Sequence, residues 1–530
     1  MPGPSPAPTF SLADLFEVVA DVVPDHEAIV CGDRRLTYAQ LDERTTRLAH
    51  WMAGQGVGPG DHVAVYLYNC AEYLEVMLAA FKLRAVPVNV NYRYTEDELA
   101  YLLEDADAKV VVHDPEFADV VASVSGHLPA FDVALGLDDY EGALAGASPE
   151  RDFGPRSGDD LYILYTGGTT GHPKGVMWRH EDIFMAAFGG GRPGGEPIAD
   201  PAELAETALG GRARSLPASP FMHGTAHWMA FAALYGGGTV VVNTDRGLDP
   251  MSLWRQVEAE RVTFLTIVGD AFARPLVDAL SDHGTELDLS TLRVILSGGA
   301  ILSPTVKEAL AEALPGAIVV DTYGASETGG QGRVVTTAGS GPVGPKFTLN
   351  ESTVLLDDEL VPITDAGRVG LIARRGRVPL GYYKDEAKTA ATFPVIDGER
   401  WAVPGDYGVL EADGTVTLLG RGSVSINTGG EKVYPEEVEA ALKGHPEVFD
   451  AVVVGVPDER WGERVVAVVQ ARPGRAPAFE ALDAHVRETL AGYKAPRDVV
   501  LVDEVRRAPM GKPDYRWARE VATERLGTVA

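Results

Sequence analysis

Apolar positions along the chain recur with helical spacing, then with strand spacing, and the two alternate. After a proline-rich lead, SLADLFEVVADVV has apolar residues three and four apart, which predicts a helix with Ser11 as its N-cap. A strand pair is predicted in EAIVCGDRRLTY, then a helix in YAQLDERTTRLAHWMAGQG and a strand in DHVAVYLY. The helix AEYLEVMLAAFKLR, the strand VPVNVN, the helix EDELAYLLEDA and the strand KVVVHD continue the alternation. Helices set between short β-branched runs predict a parallel α/β sheet. Residues 157–340 repeat the pattern, with strands expected in LYILYT, GTVVVN, VTFLTI, LRVILSG and AIVVDTYG.

From about residue 342 the texture changes. Short β-like runs separated by glycine, VGLIARRG and YGVLEADGTVTLLGR, predict a smaller antiparallel or barrel-like part. Beyond Arg421 a compact α+β pattern follows: the helix EEVEAALKG, strands FDAVVVGVP and RVVAVVQA, the helix FEALDAHVRETL and a basic tail. At 530 residues the chain is too long for one core. The expected fold class is α/β, with a body of two α/β layers plus a small β part at residues 1–421. A mobile α+β lid is expected at 422–530. The glycine- and proline-rich stretch 189–215 reads as a surface insertion or lid.

Charge narrows the partners. Lys and Arg number 46 against 77 Asp and Glu, a net −31 that argues against nucleic acid or an anionic membrane as a partner. Simple solubility explains the same excess, and any anion site must be built locally from glycine amides and selected cations. Cys31 and Cys70 stand in neither C-x-x-C nor metal-ligand spacing, which fits a reducing compartment. The opening MPGPSPAPTF has no basic or apolar signal region, and no run approaches the ~18 apolar residues of a spanning helix. A cytoplasmic protein with no membrane span is expected.

The run Tyr165-Thr166-Gly167-Gly168-Thr169-Thr170-Gly171-His172-Pro173-Lys174-Gly175 follows the strand LYILYT directly. Its glycines free the backbone to turn N–H groups toward an anion, its hydroxyls add donors, and Lys174 adds charge. It is a phosphate cradle without the G-K-[ST] ending of a Walker A loop. It also lacks the G-x-G-x-x-G of a dinucleotide site.

This run resembles the phosphate loop of the adenylate-forming superfamily: acyl-CoA synthetases, luciferase and peptide-synthetase adenylation domains. Further segments are similar to superfamily motifs in the same order: SPFMHGTAHW (219–228), LSGGA (296–300), DTYGASETGG (321–330), PGD (404–406), LGRGSVSINTGGEKVYPEEVE (419–439) and APMGKPDYR (508–516). The resemblance implies ATP binding by Thr166, Gly167, Gly168, Thr169, Gly171 and Lys174. It extends that site to Gly298, Gly299, Ala300, Asp321, Tyr323, Gly324, Ser326, Asp406 and Arg421, with Tyr323 stacked on adenine and Asp406 on the ribose. Glu327 is implied as the Mg²⁺ ligand, an ion that takes one or two carboxylates beside phosphate oxygens.

By the same resemblance Lys512, His223 and Thr170 are the catalytic residues. A mobile ammonium can join substrate oxygen and phosphate as charge shifts between them. Gly429 and Gly430 would flank the tunnel for coenzyme A, and Ser423 stands where the family usually has a charged hinge residue. On the helix expected after His223, Ala226 and Ala230 share a face and are candidates for the acyl pocket; packing against a neighbouring helix is the competing reading.

The longer string GGTTGHPKGVMWRHEDIF looks like a bacterial subgroup acting on fatty and steroid side-chain acids. The implied activity is ATP-dependent ligation of such an acid to coenzyme A, with AMP and pyrophosphate released. Three alternatives stand: a freestanding loader of carrier proteins, a luciferase-like oxidase, or a non-enzymatic nucleotide-binding relative. Homodimerisation is compatible with the sequence.

Overall fold

In the computed structural model, the described residues are 8–126, 128–166, 172–192, 194–283, 287–341, 343–428, 431–458, 461–507 and 511–526. The molecule is mixed α/β with a separate C-terminal domain of sheet and helices. Parallel strands Glu27–Cys31, Thr239–Val242, Arg214–Pro217, Phe264–Ile267, Val294–Gly298 and Ile318–Ala325 lie side by side in that order. At Ile318–Ala325 the sheet turns antiparallel and runs on through Gly329–Thr336, Lys346–Leu349, Val416–Arg421 and Asp406–Leu410. A second, all-parallel sheet holds Val86–Asn89, His62–Tyr66, Ala108–His113 and Val133–Gly136.

The helices form where the sequence supplies both an apolar face and a cap. Tyr38–Gly54 begins with a reciprocal capping box between Thr37 and Gln40, and Thr95 and Glu98 do the same for Glu96–Asp105. Each box satisfies two N–H groups that the first turn leaves unpaired, worth about 1 kcal/mol per cap. Helix Leu12–Val22 begins after Ser11 as expected, but the serine side chain makes no capping bond. The first N–H is taken instead by His180 Nδ1, which accepts from Leu12 N at 3.2 Å. Burial pushes His180 down to about 4, so its ring is neutral and can accept there while Nε2 donates to Leu161 O.

Two expectations need correction. LYILYT is not part of the large parallel sheet: Leu161–Thr166 pairs antiparallel with Lys174–Arg179 in a small separate sheet. An apolar run fixes a strand but not its partner. The stretch 189–215 is not without structure either. Leu204–Gly210 is helical, with Leu204 and Ala208 fully buried in the core that contains Leu12 and Phe16. Its glycines mask a short apolar period.

The C-terminal sheet orders Glu431–Val433, Ile426–Thr428, Gly462–Ala471 and Val448–Asp458, with Asp498–Val502 parallel on the edge of Gly462–Ala471. Its apolar clusters lie within residues 426–526, apart from those of the body. Lys443 reaches across to Asp270 of the body at 3.1 Å, and both are buried.

Candidate active site

The site forms where strand ends of the body meet the C-terminal domain. Ligand sites of α/β sheets form at such carboxyl edges. Thr166 and Lys174 are directly opposed across the hairpin, at the two ends of the expected phosphate cradle. Gly167, Gly168, Thr169, Thr170 and Gly171 lie outside the described residues, as do Gly429 and Gly430. Lys174 Nζ pairs with the carboxylate of Asp385, and the ring of His172 stacks on Tyr101 at 4.0 Å.

Two asparagines brace this region. Asn89, at the end of its strand, accepts from Tyr165 N at 2.7 Å and donates to Tyr165 O at 2.9 Å and Met222 O at 2.7 Å. Asn69 accepts from Phe221 N at 2.7 Å and donates to Ser219 O at 3.2 Å. One side-chain amide thereby ties the cradle's strand to the loop before His223, and a second secures that loop.

His223 occupies the N-cap position of helix Gly224–Tyr235. Its Nε2 is buried without a hydrogen-bond partner among the described residues. Burial, then the charges of Lys512, His227 and Arg93, push it down to about 3, so the ring is neutral. His227, one turn on, is satisfied on both sides by Phe221 O and the Tyr162 hydroxyl. Of the two, His227 is a structural histidine and His223 is the one with an atom to spare. Ala226 and Ala230 are fully buried in the main core with Phe231 and Tyr235, so the alanine face is closed by packing in this structure.

The glycines of LSGGA lie against that same helix. A Cβ on Gly298 would sit 2.6 Å from Thr322 Oγ1. Gly299 has φ +90°, with Thr225 Oγ1 3.2 Å from where a Cβ would be. Ala300 is half-buried beside them.

Tyr323, Asp406 and Arg421 form one cluster. Asp406 and Arg421 are direct cross-strand partners. The carboxylate accepts from Arg421 Nε at 3.1 Å and from the Tyr323 hydroxyl at 2.8 Å. The turn that follows Tyr323 is set by close approach, since a Cβ on Gly324 would lie 2.3 Å from Gly329 O. Trp178 Nε1 donates to Ser326 O at 3.0 Å, and the Tyr382 hydroxyl donates to Glu327 Oε1 at 2.8 Å. Asp321 departs from the expectation of a nucleotide ligand. Its buried carboxylate accepts from Lys307 at 2.8 Å inside the fold, and burial raises it to about 6.

Lys512 comes into this cluster from the other domain. Burial lowers its ammonium, the like charge of Arg421 adds to that, and the carboxylates of Glu327 and Asp406 oppose it. The same lysine contributes to the field at His223. Lys512 therefore stands within electrostatic reach of a neutral imidazole, two carboxylates and a guanidinium. Among the described residues no group of three ligand-type side chains could hold a metal by itself.

The sequence singled out neither Asn69, Asn89, Trp178, Tyr382 nor Asp385. An asparagine just past an apolar β-run at a strand's carboxyl end was the available signal for the first two.

An α/β body whose strand ends meet a second domain carrying Lys512 fits a nucleotide-using enzyme of the adenylate-forming kind. The family model described as AMP-binding enzyme matches residues 16–383, and that described as AMP-binding enzyme C-terminal domain matches 437–512. The chain belongs to the AMP-binding enzyme family. It is 49% identical over 535 residues to a medium/long-chain-fatty-acid–CoA/3-oxocholest-4-en-26-oate–CoA ligase of Mycolicibacterium smegmatis, covering 97% of each chain. It is also 49% identical to a 3-oxocholest-4-en-26-oate–CoA ligase of Rhodococcus rhodochrous, covering 96% of this chain and 95% of the other. Among solved structures, ATP-bound MatB of Rhodopseudomonas palustris aligns with a TM-score of 0.82 at 28% identity, covering 97% of this chain and all of that one.

Proposed function

We propose that this chain is an ATP-dependent acid–CoA ligase for medium- or long-chain fatty acids and steroid side-chain acids. The supporting observation is the meeting of Lys512 with Glu327, Asp406, Arg421 and His223 across the domain boundary. The names of relatives at 49% identity support the acid and the acceptor.

In the first half-reaction the acid's carboxylate attacks the α-phosphorus of ATP, giving acyl-adenylate and pyrophosphate. Two anions must approach, and Lys512 supplies the charge that shifts between them. The cradle residues 166–171 and Lys174 hold the phosphates, with Lys174 exchanging Asp385 for the nucleotide. Asp406 and Arg421 hold the ribose. Tyr323 lies against the base, with Gly298, Gly299 and Ala300 below it. Glu327 holds Mg²⁺, which neutralises phosphate charge when bound.

In the second half-reaction the domain beyond Arg421 turns about Gly422-Ser423, and the thiol of coenzyme A, reaching past Gly429 and Gly430, loses its proton and attacks the acyl carbon, so that the acyl–phosphate bond breaks and AMP leaves. Ala226 and Ala230 remain the acyl-pocket candidates by their place one and two turns after His223, and the acid would have to part the packing that covers them. The protein works as a cytoplasmic enzyme. No helix among the described residues is long and apolar enough to cross a membrane.

The test is acid-dependent ATP–pyrophosphate exchange across short, long, aryl and sterol acids, followed by AMP release with coenzyme A or a phosphopantetheinyl carrier protein. Exchange with long or sterol acids and CoA-dependent turnover is the expected result. Exchange with none of them sinks the proposal, and turnover only with the carrier protein reassigns the acceptor.

A further inference from the structure

The lysine that completes the site stands on a loop, and a flexible four-carbon stem is only as well placed as the backbone beneath it. Gly511, the residue before it, has φ +76°. A Cβ there would lie 3.3 Å from Ala271 Cβ and 3.4 Å from Val268 O, so the loop backbone is pressed against the body. From its own side the described part of the loop is held by a guanidinium. Arg507 donates Nε and Nη2 to the two oxygens of Asp450, both at 2.6 Å, and Nη1 to the carbonyl oxygen of Gly511 at 2.8 Å. Arg507 and Pro513 bridge as antiparallel partners, closing the loop at its base. Asp450 belongs to strand Val448–Asp458, inside the C-terminal sheet. The ion pair is largely buried, with side chains 14% and 13% exposed.

We infer that Arg507 is the positioning residue for Lys512: braced on Asp450, it fixes the Gly511 carbonyl and with it the peptide from which the lysine projects. A planar fork gripping a carboxylate with two N–H groups has its third donor direction set as well. The peptide plane of Gly511 and Lys512 is thus referred to a sheet strand, and Lys512 enters the site at a defined height. Lysine at position 507 would keep the charge against Asp450 but lose the fork. None of this involves the proposed turn of the domain, so the brace travels with the lysine.

The inference rests on the reading of Lys512 as the adenylation lysine, and the test separates the two. Full-length wild type, Lys512→Ala, Arg507→Lys and the paired Arg507→Gln/Asp450→Asn variant are compared in both half-reactions, with thermal midpoints recorded. The paired variant removes both members of the ion pair together and guards against misfolding. A shift of about 1 Å in a reacting group costs about 100-fold, so both Arg507 variants should lose acyl-adenylate formation by about that factor. Thioester formation from supplied acyl-adenylate, the KM for ATP and the thermal midpoint should stay at wild-type values. Equal loss in both half-reactions makes Arg507 merely structural and overturns the inference, as does full adenylation in both variants. If Lys512→Ala itself forms acyl-adenylate normally, the reading beneath the inference fails instead.

Discussion

The two sides of the site are built differently. On the body, each group is fastened to another element: Asp406 to Tyr323 and Arg421, Glu327 to Tyr382, the backbone of Ser326 to Trp178. On the C-terminal domain, one ammonium reaches the same space from a loop whose anchors lie behind it. Groups bonded to a shared frame cannot leave it without breaking those bonds, whereas the lysine can be withdrawn with its domain intact. In the proposed reaction the body would then carry what both half-reactions need, and the other domain a charge for one of them.

The sharpest break in that comparison comes from Lys512→Ala. Acyl-adenylate formation, read by pyrophosphate exchange, should fall by about 100-fold or more, as when an oriented charge is removed from a transition state. Thioester formation from supplied acyl-adenylate should persist. Equal loss of both, with an intact circular dichroism spectrum, would erase the distinction between the two sides. A smaller effect is expected from Glu327→Gln on the fixed side: about a 10-fold fall in kcat/KM for MgATP, recovered in part at high Mg²⁺. Unchanged ATP kinetics would remove Glu327 from the metal site.

The junction is tighter than its glycines suggest. A Cβ on Gly422 would lie 2.6 Å from the Tyr407 ring, and Gly420, at φ +122°, would meet the Glu436 carboxyl at 2.1 Å. Close packing accounts for both glycines, beyond any freedom they give. Ser423→Ala should leave both half-reactions near wild type, while Ser423→Pro, which fixes φ, should slow thioester formation selectively. The opposite ranking would move the pivot elsewhere.

The mildest effect concerns pH. Burial first, then Glu439 on the same helix and Asp406 on the body, raise the Glu436 carboxyl to about 8 against the opposing backbone N–H groups of Glu436 and Arg421. Among the described residues, Tyr434 and Tyr515 also feel its charge. If the proposed turn returns Glu436 to water and its ordinary range, its protonated form favours the arrangement seen here at low pH. The advantage is lost progressively as pH rises from the ordinary 4.5 through about 8. Adenylation by the wild type should decline across that window, and Glu436→Gln should flatten the profile. Identical profiles would place Glu436 outside the linkage.

Helices and strands of the body were legible because their apolar spacing is local, as in AEYLEVMLAAFKLR, observed as Ala71–Lys82. The motif residues were legible by resemblance, and the structure brings Tyr323, Glu327, Asp406, Arg421 and Lys512 together. What escaped depends on distant partners. His180 caps a helix 168 residues away, Asn89 reaches Met222, and Lys307 claims Asp321. No period or short motif encodes such pairings, since each is decided by which strand ends the finished fold sets side by side.

The register that opposes Asp406 to Arg421 has a mechanical consequence. Arg421 is the last residue of its strand, and the 3₁₀ turn Gly422–Val424 starts at the next one. In the proposed reaction a nucleotide bound to that pair grips the chain one peptide short of the joint, much as a clamp holds a rod beside its bearing. Occupancy would then stiffen the fixed end of the joint while leaving the swinging end loose, and the departing AMP would be the last thing to release the bearing.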